Sequence, residues 1–289
     1  MPSSFPFGGI LHRMDRPIPS TPPRSPGEAL ERQANEKFAH RWFFASGVTT
    51  GLVLAAALLW LNHLAGTGWA LAMLSAVALI AVLWMFVEYR RLGIGILPLL
   101  RGALGEREVG ALLDDMRSKG YRVFHQVPIP VSNGKFIQFE DGSGYAADHV
   151  LVGPAGVFVI ETKRRSEKNG QPRRVVYDFA ASRVLVNGYW DKDNCPLRQV
   201  KGYATGLGKH LRQHTQLDVY VRGVLVYPGA DVVTRSGSGA DGRTWVLVPR
   251  KLPSWLRQEI KRPFGGQKLP LTEFQIDRLA SEVAALGRK

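Results

Sequence analysis

Cysteine is almost absent from this chain of 289 residues: Cys195 is the only one. A single cysteine excludes an internal disulfide and any zinc site built from several cysteines. A Gly-rich phosphate loop ending in Lys-Ser or Lys-Thr is also absent, which argues against autonomous ATP-driven work. The sequence therefore indicates a protein that does not depend on an oxidising compartment.

Charge is missing from two long apolar runs, residues 42–61 and 69–87. Each is long enough to cross about 30 Å of hydrocarbon as a helix, and aromatic residues cluster near the ends of both runs, as they do at membrane interfaces. The alternative is a buried helical hairpin in a soluble protein. We expect a transmembrane hairpin in the lipid bilayer, because a core helix of this length without polar residues is rare.

Basic residues flank the two runs on their outer sides only. Arg32, Lys37 and Arg41 precede the first run, Arg90 and Arg91 follow the second, and the connection at residues 62–68 has no Lys or Arg. Basic flanks remain in the cytoplasm. We therefore predict a multi-pass protein of the cell (plasma or inner) membrane with both termini cytoplasmic.

Four regions follow from these patterns. We predict a disordered, Pro-rich tail with a short polar helix at residues 1–40, because such a composition cannot bury a core. The transmembrane hairpin occupies residues 41–90, an α/β domain residues 91–250, and a C-terminal helical extension residues 251–289. Within the extension, Thr272 followed by Gln275 predicts a capping box that opens the last helix.

Acidic residues are too few to balance the basic ones, and the net charge is +14. The first 89 residues contain six Lys or Arg and five Asp or Glu, so thirteen of the excess positive charges lie in residues 90–289. Such an excess favours phosphate-rich partners. Nucleic acid is the first choice, and an anionic lipid surface is the alternative.

The most informative segment, residues 148–163, predicts two apolar strands joined by the turn Gly153-Pro154-Ala155-Gly156. Symmetric pairing about this turn places Val150 opposite Val159 and Asp148 opposite Glu161, with Cβ atoms about 5 Å apart on one face. Strand alternation adds Lys163 to that face. Two carboxylates and an ammonium group should therefore converge at the open end of the hairpin.

Carboxylate oxygens suit Mg²⁺ or Mn²⁺. A divalent ion held by Asp148 and Glu161 would activate water for attack on a phosphodiester, and Lys163 would stabilise the developing charge. The plainer alternative is a salt bridge between Glu161 and Lys163 at the end of the strand. His149 points to the opposite face, where a structural role is favoured over metal binding.

Further motifs accompany the hairpin: Gly105-Glu106 at the start of a predicted helix, and Pro196-Leu197-Arg198-Gln199 at the start of another. Together with the core series Gly153 to Lys163, they resemble the nuclease-related domain (NERD) over about residues 100–230. That family is assigned to the restriction-endonuclease-like PD-(D/E)xK superfamily. The resemblance implies an α/β fold, with a mixed central sheet flanked by helices, here preceded by two transmembrane helices.

The resemblance also implies functional residues. Glu106, Asp148 and Glu161 would bind the metal, and Lys163 and Gln199 would assist catalysis. After Lys163 the chain departs from the family pattern, because a basic insert occupies residues 164–174. The departure concerns the type of substrate rather than the active site.

Six basic residues are candidates for contacts with nucleic acid: Arg164, Arg165, Lys168, Arg173, Arg174 and Lys201. The insert would grip a phosphate backbone, or it is a solvated loop near the membrane surface. Tyr189 and Trp190 follow an Asn187-Gly188 turn signal. Their rings would stack on bases or, as is more common for such a pair, pack on a sheet.

The sequence thus predicts a membrane-anchored, Mg²⁺- or Mn²⁺-dependent nuclease that hydrolyses nucleic acid, with DNA preferred, on the cytoplasmic side. Two alternatives remain: a non-catalytic, membrane-tethered nucleic-acid-binding module, and a protein or lipid scaffold. The clustered carboxylates argue against the scaffold, because burying several together is costly without a cation.

Overall fold

The structure is a computed structural model of the full chain. It describes residues 25–65, 69–130, 146–164, 173–178, 183–190, 196–235, 244–261 and 270–287. Nearly all of the predicted disordered tail and most of the basic insert lie outside the described residues. The described residues form two compact units, one within residues 27–105 and the other formed by residues 25–26 and the described residues from 106 onward.

Residues 27–105 form a pair of long helices. Helix α1 (Glu28–Ala65) includes both the predicted polar helix and the first apolar run, and helix α2 (Trp69–Asp114) begins with the second run. Gly47 and Gly51 lie against Met85 and Val82, so small residues let the two helices approach closely. Both helices are long and apolar enough to cross a membrane.

The second unit is built on a five-stranded mixed sheet in the order β1-β2-β3-β7-β9. Its strands are β1 (Arg122–Pro128), β2 (Ala146–Gly153), β3 (Gly156–Thr162), β7 (Val221–Val226) and β9 (Thr244–Leu247). Strands β1, β2 and β3 pair antiparallel, whereas β3, β7 and β9 pair parallel. The predicted hairpin register is confirmed, because Val150 pairs with Val159 and Val152 with Val157.

Helices cover both faces of this sheet. Helices α3 (Pro196–Thr215) and α5 (Glu273–Leu286) pack with Val150 and Val159 on one face. The last turns of α2 and helix α4 (Leu252–Glu259) pack with Phe158 and Ile160 on the other. The fold predicted from the sequence, a mixed sheet flanked by helices, is therefore confirmed. The two C-terminal helices take part in the same cores as the sheet.

A second, four-stranded sheet has the order β6-β5-β4-β8. Its strands are β4 (Arg173–Asp178), β5 (Arg183–Val186), β6 (Tyr189–Trp190) and β8 (Ala230–Arg235). Its inner face contributes Val175, Tyr177 and Val184 to a core that also contains Leu225 of β7. This sheet therefore packs against the end of β7, the strand next to β3.

Local signals predicted most of these elements. The capping box of α5 is present, with Thr272 and Gln275 bonded reciprocally, and the Asn187-Gly188 turn joins β5 to β6 with positive φ at both residues. Strand β8 has no counterpart among the predicted elements. Its partner is β4, more than fifty residues earlier in the chain, so its pairing depends on tertiary structure rather than on a local pattern.

Candidate active site

The carboxylates of the hairpin lie where β2 begins and β3 ends. Glu161 is the penultimate residue of β3 and is 2% exposed, whereas Asp148 in β2 is partly buried. The Thr162 backbone N–H donates to Asp148 Oδ2 over 2.6 Å, which fixes the carboxylate across the strand pair. The Lys163 N–H donates to the Val226 carbonyl over 2.9 Å, so β7 holds the chain immediately after the site.

Lys163 is paired with Glu161. Its Nζ donates to Glu161 Oε1 over 2.7 Å, and the Lys163 side chain is 24% exposed. The sequence left a metal site and a strand-end salt bridge as alternatives for these residues. The salt bridge is present, and the charge of Lys163 also lowers the pKa of Asp148.

Glu106 belongs to the same electrostatic environment. It lies in α2 and is 6% exposed. Its charge is one of the causes that raise the pKa of Asp148. The charges of Glu106, Glu161 and Lys163 therefore all act on Asp148, although Glu106 precedes Asp148 by a whole strand and a long connection.

Burial and like charge shift the two hairpin carboxyls in the same direction. Burial, then the charges of Glu161 and Glu106, raise the pKa of Asp148 well above its usual value, against the opposing effects of Lys163 and the Thr162 N–H. Burial also raises the pKa of Glu161, although Lys163 acts in the opposite direction. Both carboxyl groups are therefore harder to ionise than usual, and a bound cation would favour their charged forms.

One oxygen of the cluster is left without a partner. Glu161 Oε2 is buried and makes no hydrogen bond, whereas Oε1 is taken by Lys163. A buried acceptor without a partner is costly. Carboxylate oxygens of this kind fit a hard divalent cation. Among the residues that the structure describes, however, no group of three or more His, Cys, Asp or Glu is arranged to hold a metal ion.

Gln199 is not joined to the carboxylates by any described contact. It lies in the first turn of α3, and its Nε2 donates to the Tyr203 hydroxyl over 2.9 Å. Both residues are on the same helix, one turn apart. The catalytic role that the family resemblance implies for Gln199 stays a prediction.

The six basic candidates are distributed over several elements. Arg164 follows the site and lies 3.5 Å from Glu108, Arg173 and Arg174 open β4, and Lys201 is partly buried on α3. Arg165 and Lys168 lie outside the described residues. The backbone N–H of Arg174 donates to the side chain of Asn187 over 2.9 Å, which ties β4 to the β5–β6 turn.

A pair of buried histidines lies behind the site. His149 is fully buried on the face opposite Asp148, as alternation predicted, and its Nδ1 lies 2.8 Å from Nδ1 of His125 on β1. Nε2 of His149 lies 3.5 Å from the Thr162 hydroxyl. Burial lowers the pKa of both imidazoles. The neutral forms of the two histidines are therefore favoured next to Thr162.

His125 was not among the residues predicted from the sequence. Its contact with His149 arises because β1 pairs with β2, with the two histidines in register. The only signal in the sequence was the position of each histidine in an apolar strand, where a lone polar residue needs a partner. That signal predicts that each histidine has a hydrogen-bond partner, but it does not say which residue the partner is.

Comparison with known proteins agrees with the motif-based expectation. Residues 101–228 match the family described as nuclease-related domain. The match includes α3, both hairpin carboxylates and the last turns of α2. No curated protein and no solved structure matches the chain.

Proposed function

We propose, since residues 101–228 of this chain are a nuclease-related domain, that the protein is a membrane-anchored nuclease that hydrolyses phosphodiester bonds with the help of Mg²⁺ or Mn²⁺. The observation that carries the proposal is the pair Asp148 and Glu161 beside Lys163, with the charge of the buried Glu106 acting on Asp148. The pKa values of Asp148 and Glu161 are raised, and Glu161 Oε2 is buried without a hydrogen bond. Such strongly shifted groups are typical of functional sites.

Asp148 and Glu161 would hold the cation, and Glu106 would complete the set of carboxylates. A bound divalent ion supplies a Lewis acid and lowers the pKa of water. Asp148 is oriented for this role by the Thr162 N–H, and Glu161 by Lys163. Bringing these carboxylates together is energetically unfavourable, and a bound cation would reduce that cost. This supports the assignment of the carboxylates as cation ligands.

Lys163 would act on the substrate from its position beside Glu161. An ammonium group carries three N–H donors. These would orient the attacking water or stabilise the charge that develops on the phosphoryl oxygens. Gln199 is a candidate for a second polar contact, through rotation away from Tyr203.

Membrane anchoring is the second part of the proposal. The apolar windows of α1 and α2 are only 6% and 11% buried within the protein, so a surrounding apolar phase would cover them better than water. Basic residues flank the outer ends of both runs, and this asymmetry supports cytoplasmic termini. The nuclease-related domain would then act on nucleic acid at the cytoplasmic side of the cell membrane.

The test is a cleavage assay on the full chain in detergent micelles. Plasmid DNA, single-stranded DNA and RNA would each be incubated with Mg²⁺ or Mn²⁺, using wild type, Glu161→Gln and Lys163→Met. The control is Asp231→Asn, which removes an exposed carboxylate on β8. We expect cleavage by wild type and the control only. Intact substrates with wild type in every case would overturn the proposal.

A non-catalytic nucleic-acid-binding module is the second candidate. It is favoured by the salt bridge that occupies Glu161 Oε1 and by the absence of a three-ligand group among the described residues. In that case the domain would bind nucleic acid through Lys and Arg, with strong salt dependence. Binding that Asp148→Ala leaves unchanged, without cleavage by any form, would favour this candidate.

A further inference from the structure

We propose that the β5–β6 hairpin (Arg183–Val186 and Tyr189–Trp190) is a binding surface for the unpaired bases of single-stranded nucleic acid. The inference rests on the proposed function and names its substrate class, a strand whose bases are not paired. Tyr189 and Trp190 would supply the stacking surfaces, and Arg174 a phosphate contact.

Both rings are exposed although they are large. Tyr189 is 80% exposed and Trp190 is 46% exposed. They follow each other on β6, which lies at one edge of the second sheet. A pair of rings packed on a sheet was the favoured prediction, whereas the Tyr189 ring is largely exposed and the Trp190 ring about half exposed. Exposed aromatic rings offer surfaces on which the bases of a single strand can stack.

The turn before β6 holds this position firmly. Asn187 and Gly188 have φ of 51° and 85°, the left-handed geometry of a tight two-residue hairpin turn. The Asn187 side chain accepts from the Arg174 N–H over 2.9 Å, and the Asn187 N–H donates to the Arg174 carbonyl over 2.8 Å. The hairpin tip is therefore fixed to β4, and the rings are presented by a rigid support.

Strand alternation distributes the rings over both faces of the edge strand. Trp190 pairs with Leu185 and therefore lies on the outer face, whereas Tyr189 pairs with Val186, which packs toward the inner core. A flexible single strand that crosses the edge of the sheet would meet one ring on each side. A duplex offers no such fit, because its bases are already stacked and paired.

Charge complements the aromatic surface. Arg174 is exposed on β4, and alternation places it on the same face as Val176, which pairs with Leu185, the partner of Trp190. Two strand spacings and two residues separate Arg174 from Trp190, or roughly 12 Å. One face therefore combines a base-stacking ring and a phosphate-binding cation, the pairing that single-strand binders use.

The second sheet also contacts the strand next to β3. Leu225 is the register partner of Glu161 in the parallel β3–β7 pair. The same Leu225 packs in one core with Val175, Tyr177 and Val184 of the second sheet. The inner face of the sheet that carries Tyr189 and Trp190 therefore packs against β7, the neighbour of the strand that carries Glu161.

The experiment measures binding without cleavage. Full-length protein in detergent micelles, in EDTA, would be titrated with a fluorescent oligothymidylate and with a duplex of the same length. The variants are Tyr189→Ala, Trp190→Ala and the conservative Trp190→Phe. Phe274→Ala removes an equally exposed aromatic ring on α5 and is the matched control. Melting temperatures would establish that every variant is folded.

We expect Tyr189→Ala and Trp190→Ala each to weaken single-strand binding on the order of tenfold. Trp190→Phe and Phe274→Ala should bind as wild type does, and duplex binding should change little in any variant. Unchanged single-strand affinity in both alanine variants would overturn the inference, as for a hairpin that contacts a protein instead. An equal loss of duplex and single-strand binding would overturn it too.

The two proposals fail in different ways. If the nuclease proposal is wrong, wild type leaves every substrate intact, yet the single-strand binding in EDTA would still depend on the two rings. If the hairpin inference is wrong, cleavage proceeds in wild type, and the affinity for oligothymidylate is the same with and without Tyr189 and Trp190.

Discussion

At the scale of single residues, the charged form of Asp148 is unfavourable for stability, yet the proposed metal site needs it. Its carboxylate faces the charges of Glu161 and Glu106, with only Lys163 and one backbone N–H in opposition. A stabilising role alone would not select such a group, because like charges at short range disfavour the folded state. Stability and function should therefore respond in opposite directions when the charge is removed.

Asp148→Asn tests that opposition. The amide oxygen still accepts the Thr162 N–H, but the negative charge is gone, so we expect the metal-free protein to melt a few degrees higher. Cleavage should fall by at least about 100-fold, and Mn²⁺ should no longer raise the melting temperature. Differential scanning fluorimetry in EDTA and in Mn²⁺ measures the first and third effects. A lower melting temperature together with full activity would contradict the assignment.

The raised carboxyl pKa values also predict a pH dependence. Asp148 and Glu161 release their protons at higher pH in the folded state than in the unfolded chain. Their contribution to the stability of the metal-free protein is therefore lost as pH rises above their ordinary values, 3.8 and 4.5. Mn²⁺ competes with these protons, so its stabilising effect should grow with pH.

Other groups titrate in the same range, and a matched comparison separates them. The buried His125–His149 pair has lowered pKa values, so its contribution is lost as pH falls. The pH effect of the two histidines is the same in wild type and in Asp148→Asn. The difference in melting temperature between the two proteins, followed from about pH 5 to about pH 8 in EDTA, should shift steadily in favour of the variant. A difference that is independent of pH would contradict the shifted carboxyl groups.

At the scale of elements, the sequence predicted those whose signals are local. The β2–β3 hairpin follows from two apolar runs around one turn, and α5 from its capping box. The short strand β6 and the late strand β8 form because they pair with other strands of the second sheet. A short stretch of sequence therefore does not predict them. The same limit applied to the site: the hairpin register predicted Asp148 opposite Glu161, but the contribution of Glu106 required the family resemblance.

The hairpin turn gives a prediction at this scale. A Cβ on Gly153 would overlap the ring of Tyr121, which is only 3% exposed. Gly153→Ala should therefore destabilise the protein by about 1–3 kcal/mol, because the ring has no room to move. The turn that aligns Asp148 with Glu161 would be displaced, and cleavage should fall with stability.

Gly202→Ala is the matched control for that substitution. Gly202 lies in α3, is exposed, and a Cβ there would meet nothing within 4 Å. Alanine is the better helix former, so this variant should gain roughly 0.5–1 kcal/mol. Urea unfolding of the two variants in micelles compares them directly. Equal effects of the two substitutions would show that the Tyr121 contact does not limit the hairpin.

At the scale of the whole molecule, charge and hydrophobicity are separated along the chain. Residues 90–289 hold thirteen of the fourteen excess positive charges, whereas the long apolar windows lie in α1 and α2. A polyanion is drawn to the first part and an apolar phase to the second. The proposed function needs both, with the nuclease-related domain on the side where nucleic acid is found.

The single cysteine makes that sidedness measurable. If both termini are cytoplasmic, a membrane-impermeant maleimide should label Cys195 in inverted membrane vesicles but not in intact cells. In a Cys195→Ala background, Gly66→Cys in the connection between the two apolar runs should give the reverse pattern, because only that turn would be outside. Labelling of Cys195 from the outside of intact cells would place the basic domain away from cytoplasmic nucleic acid. In that case the charge of residues 90–289 would need another polyanion, and the membrane-anchored nuclease would have to act outside the cell.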